Sequence, residues 1–61
     1  MRLKKGQKLV TFDYNKIEGT ALVTYWYNGD YKDPSFIKSV TIEEANKRYD
    51  DLVREGYKNS F

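Results

Sequence analysis

The sequence contains no cysteine and no histidine. Disulfide staples are therefore excluded, and so are metal sites built from thiolate or imidazole. The same absences remove the Cys–His and Ser–His arrangements on which much nucleophilic and acid–base catalysis rests. Proline occurs once, at Pro34, and the four glycines (Gly6, Gly19, Gly29, Gly56) are too scattered to cradle a phosphate. No apolar run approaches the roughly 18 residues of a membrane-spanning helix. The start, Met1-Arg2-Leu3-Lys4-Lys5, is basic but leads into no apolar stretch with a cleavage site, so no signal peptide is expected. The expected compartment is the cytoplasm of a bacterium or a phage-infected host, with no membrane partner.

What is present fits one domain. A chain of 61 residues hides only about 60% of its extended surface on folding. Chains this short usually add disulfides, a metal or a partner subunit. With the first excluded and no metal or cofactor site in view, good local packing and self-association remain. A third of the residues are charged and the mean hydropathy is -0.84, as expected of a soluble globular domain. Aromatics are the surplus: six Tyr, three Phe and one Trp are large side chains favoured in small cores and at interfaces. The frequency of Lys, Asn and Tyr suits an AT-rich bacterial or phage genome.

Three strands are predicted. Lys8 to Tyr14 places Val10, Phe12 and Tyr14 on one side. Asn15 to Gly19 supplies the reversal. Thr20 to Tyr27 is β-branched and aromatic with no Gly or Pro, the strongest strand signal in the chain. Asn28-Gly29 then suits a two-residue hairpin turn, because both central positions need positive φ. The return strand starts at Asp30-Tyr31-Lys32, is interrupted or bulged at Asp33-Pro34, and runs on from Ser35 to Val40.

One helix follows. Thr41-Ile42-Glu43-Glu44 is a capping box, with Val40 and Ala45 placed as its hydrophobic staple. Ile42, Ala45, Tyr49, Leu52 and Val53 fall on one helical face, and Gly56 stops the helix so that Tyr57 folds back on Leu52. Glu43–Lys47, Glu44–Arg48 and Asp50–Arg54 are spaced as outer-face ion pairs. The predicted class is α+β: a three-stranded antiparallel sheet with one amphipathic helix on one face. Residues 1–7 are expected as a basic, flexible arm, and residues 58–61 as a frayed tail or a short extra strand.

One helix covers one face of a sheet. The middle strand nevertheless carries apolar side chains both ways: Ala21, Val23, Tyr25 and Tyr27 on one side, Leu22 and Trp26 on the other, with no charge among residues 20–27. Each large side chain hidden from water is worth roughly 1.5–3 kcal/mol. The second face is therefore expected to be wrapped by the chain's own termini, closed by a second copy, or kept for another molecule.

No catalytic constellation emerges. Ser35, Ser39 and Ser60 have no nucleophile context, and the adjacent acids Glu43-Glu44 and Asp50-Asp51 splay around a helix. Asn28, Asp30 and Asp33 lack the spacing of a calcium loop. The chain is thus expected not to be an enzyme. The first functional expectation is a homo-oligomeric protein-binding module, an accessory or inhibitor protein of phage or mobile-element type that occludes a host defence or replication protein. Its contacts would be Tyr25, Trp26, Tyr27 and Tyr31, since Tyr and Trp give large contact area at small entropic cost. The alternative is a nucleic-acid-binding module, with Arg2, Lys4, Lys5 and Lys8 on phosphate and the same rings stacking on bases. The order strand, strand, strand, helix over residues 8–55, with T-x-x-E-A at the helix start, resembles the arm-type DNA-binding domains of phage and transposon integrases. In outline it is also similar to the single-strand-binding coactivator fold. Those families bring several Arg or Lys onto their strands, whereas the strands predicted here offer Lys8, Lys32 and Lys38, so no residue role carries over.

Overall fold

A computed structural model describes residues 1–27 and 32–59. In chain order the elements are β1 (Arg2–Lys5), β2 (Lys8–Asn15), β3 (Thr20–Trp26), β4 (Phe36–Thr41), α1 (Ile42–Arg54) and β5 (Lys58–Asn59). They form an antiparallel sheet in the order β4-β3-β2-β1-β5, with α1 against one face. The α+β class and the single helix agree with the sequence. Among the described residues the sheet has five strands rather than three.

The first extra strand comes from residues expected to be an arm. Gly6 and Gln7 join β1 to β2 as a two-residue connection, with Lys5 opposite Lys8. Gly6 has φ +59 and, among the described residues, no non-glycine has positive φ, Gln7 included, the pattern a type II′ hairpin turn requires. Leu3 then faces Val10 and is fully buried. The second extra strand is the C-terminal one. Lys58 and Asn59 pair with Lys4 and Leu3, the strand alternative for the tail; Ser60 and Phe61 lie outside the described residues.

The β2–β3 connection fixes which side chains face the helix. Asn15 pairs with Thr20, and its Oδ1 accepts from the backbone amides of Ile17 and Glu18, each at 3.2 Å. Gly19, at φ +71, closes the turn by donating to the Asn15 carbonyl at 2.9 Å. Phe12 is thereby set opposite Val23, and Tyr14 opposite Ala21. The core is Leu3, Val10, Phe12, Ala21, Val23, Tyr25, Val40, Ala45 and Tyr57. Every strand residue in it belongs to the helix-facing side, because paired residues share a face and alternate residues switch.

The third predicted strand is found one residue further on, beyond Pro34. Asn28 to Tyr31, with the proposed hairpin turn, lie outside the described residues. The strand seen is Phe36–Thr41, and Tyr25 pairs with Phe36. Ser35 extends the pairing by donating its amide to the Tyr25 carbonyl at 2.8 Å. Pro34 has no amide to offer and stands just outside.

The helix keeps its predicted ends. Thr41 Oγ1 accepts from the Glu44 amide at 3.1 Å, and Val40 and Ala45 are both buried beneath the cap. At the C-terminus Tyr57 donates to the Leu52 carbonyl and Gly56 to that of Val53, the paired bonds of a Schellman motif. Gly56 stands at φ +106. Val53, assigned to the inner face, is instead exposed. Thr41→Ala should cost about 1 kcal/mol, seen as a lower urea midpoint at unchanged slope.

Candidate functional site

The sheet divides the expected contact residues between two surfaces. Tyr25 and Tyr27 face the helix side, whereas Trp26 points to the other. They do not lie on one face. Tyr31 lies outside the described residues. The basic residues divide too. Arg2 and Lys4 stand on the side away from the helix, while Lys5 and Lys8 stand on the helix side. Lys5 is already employed: its Nζ donates to the Glu55 carbonyl at 2.7 Å and lies 6.0 Å from the Tyr57 ring centroid. Lys8 sits 5.8 Å from the Tyr27 ring centroid. A single basic arm is thus replaced by two pairs of cations with different surroundings. Its cause is the β1 hairpin, whose alternation sends neighbouring lysines to opposite faces.

The side away from the helix is covered by no other described strand or helix. One row across it runs Lys58, Lys4, Leu9, Trp26, and the next Arg2, Thr11, Thr24, Ile37. A third row holds Asp13, Leu22 and Ser39. Leu9 and Thr24 are buried, but Leu22 is 44% and Ile37 54% exposed. The Trp26 indole N–H is buried and finds no acceptor among the described residues. Apolar groups therefore lie around Thr24 on the β2–β4 part of this face, three cations at the β1–β5 corner, and Asp13 at the opposite end of β2.

A groove lies on the helix side, at the end of the sheet where β3 leaves and β4 begins. It encloses about 300 Å³. Tyr25, Tyr27 and Phe36 line its sheet side, with ring centroids 5.6 Å apart for Tyr25–Tyr27 and 5.4 Å for Tyr25–Phe36. Helix residues Arg48, Asp51, Leu52 and Glu55 line the other. Arg48, whose spacing suggested an outer-face pair with Glu44, turns inward, and its Nη1 donates to the Tyr25 hydroxyl at 3.1 Å. An exposed ion pair with Glu44 would have added little stability.

Burial, followed by the charges of Tyr57, Tyr25 and Glu55, raises the Tyr27 hydroxyl above the usual tyrosine value, against a lowering effect of Arg48. Tyr57 is raised by burial first, then Glu55 and Tyr25, and Tyr14 by burial and Tyr49. All three phenols therefore remain protonated donors near neutral pH. Among the described residues no three acidic side chains gather as a metal site, and no helix is long and apolar enough to cross a membrane. In comparisons with family models, curated proteins and solved structures, the chain finds no match.

Proposed function

We propose that this chain is a non-enzymatic protein-binding module whose helix-free sheet face closes against the same face of a second copy. The observation that carries the reading is the exposure of Leu22 and Ile37, on the neighbouring strands β3 and β4 of the face that also carries Trp26. Burying them would add hydrophobic stabilisation that a domain of this length needs. Because the face carries both signs, a two-fold arrangement can set Asp13 of one copy toward the Arg2–Lys4 corner of the other. The small size and lack of catalytic groupings suit an accessory or inhibitor that works by occluding a larger host protein.

The test is mass in solution by light scattering, for the parent and for the double variant Leu22→Lys, Ile37→Lys. The parent should weigh as a dimer and the variant as a folded monomer, since both substituted side chains are already solvent-exposed. A parent that stays monomeric at millimolar concentration rejects the reading.

One observation favours nucleic acid as a second reading. Arg2, Lys4 and Lys58 are brought together at one corner of the face that carries Trp26, with Leu9 between, an arrangement in which phosphate contacts and a stacking ring share one surface. Binding of a labelled single strand that weakens steeply across a salt series would support it. Absence of binding at low salt removes it.

A further inference from the structure

The groove between α1 and the β3–β4 end is a separate surface, on the opposite side of the sheet from the proposed dimer face. We infer that it receives a basic side chain, lysine or arginine, of a partner polypeptide. This extends the protein-binding reading and rests on it only in taking the cation to belong to a polypeptide.

The argument is charge and shape together. The sheet side of the groove offers three aromatic rings, of which Phe36 is about half exposed and Tyr27 nearly so. Ring faces are electron-rich and attract an ammonium or guanidinium within about 6 Å of the centroid. This end of the molecule already uses that attraction, for Lys8 stands 5.8 Å from Tyr27 and Lys5 stands 6.0 Å from Tyr57. The helix side supplies the carboxylates of Asp51 and Glu55 against the one guanidinium of Arg48. Arg48 is held back by its bond to the Tyr25 hydroxyl, and its Nε is buried. Asp51 has a long contact of 3.8 Å with Arg54, both well exposed, a pairing of little strength that a better-placed cation can displace. Leu52 completes an apolar wall between the rings and the acids.

A lysine or arginine matches this sequence of surfaces. Its methylene stem packs on Phe36, Tyr27 and Leu52 while its charged head reaches the carboxylate rim. An acidic side chain would meet Asp51 and Glu55 instead, and a purely apolar one would make no use of their carboxylates.

The experiment is an amide chemical-shift titration of the isotope-labelled protein with short glycine-flanked peptides. Their central residue is arginine, lysine, citrulline or glutamate. Arginine and lysine peptides should shift the amides of Asp51, Leu52 and Glu55 with millimolar affinity, and citrulline should bind several-fold more weakly. Glu55→Gln, at an exposed position, should lower arginine-peptide affinity about threefold. The Leu22→Lys, Ile37→Lys variant should bind the peptide as the parent does, which separates this site from the dimer face. Equal binding of citrulline and arginine overturns the proposal, as does preference for glutamate, which would make Arg48 the anchor. Absence of shifts at tens of millimolar peptide overturns it as well.

Discussion

Removal of residues 1–5, or the single change Leu3→Asp, should unfold the domain. Leu3 is 0% exposed and packs in one core with Val10, Phe12 and Tyr57. Truncating a buried leucine costs about 2–5 kcal/mol, while a chain of this length is stable by only about 3–9 kcal/mol. Aspartate adds the burial of a charge with no partner beside it. Deletion does more, because β1 is an inner strand: without it β2 loses one neighbour and β5 its only described one. The hydrogen bonds between Met1 and Phe12 (3.1 Å from the terminal amine, 2.9 Å to the Met1 carbonyl) and the Lys5 bond at the helix end disappear as well. Circular dichroism and amide dispersion at 25 °C would both show the loss. Full retention of structure after deletion would mean that the first residues are an arm after all.

That result bears on what the sequence discloses. The helix was legible to its caps, because Thr41, Ala45 and Gly56 act on their own neighbours and need no distant partner. The two-faced character of β3 was legible too, since alternation depends only on position along the strand. β1 was not, because four positive side chains in eight residues hide one leucine, and a strand with a single buried residue has no periodicity to detect. The signal that could have found it is Lys5-Gly6-Gln7-Lys8, a glycine-led pair of residues between two extended stretches. The groove was missed for a different reason. Tyr25 and Tyr27 were correctly separated from Trp26 by alternation, but then rejoined as one hairpin patch. Phe36 and Arg48 entered only when the β3–β4 register set Phe36 beside Tyr25, and the helix crossed above them. Neither relation is local in sequence.

Phe12→Ala should be among the costliest alanine substitutions, at about 3–5 kcal/mol, whereas Leu22→Ala should cost under about 1 kcal/mol in dilute protein. Phe12 is 1% exposed, stacks on Tyr14 at 6.4 Å and meets the Tyr49 ring edge-on at 5.8 Å. Leu22 lies one position along β3 from Val23, the partner of Phe12, yet points to the other side. The contrast therefore measures the β2–β3 register, and with it which surface is left for a partner. Were the strands slipped by one residue, Leu22 would enter the core and Val23 would face out. Urea unfolding of the two variants at micromolar concentration decides it. At higher concentration the comparison gains a second use: Leu22→Ala should then lose stability that the dilute protein never had, because only association buries that side chain. A Leu22→Ala cost independent of protein concentration would leave the register standing and remove the second copy from the sheet face.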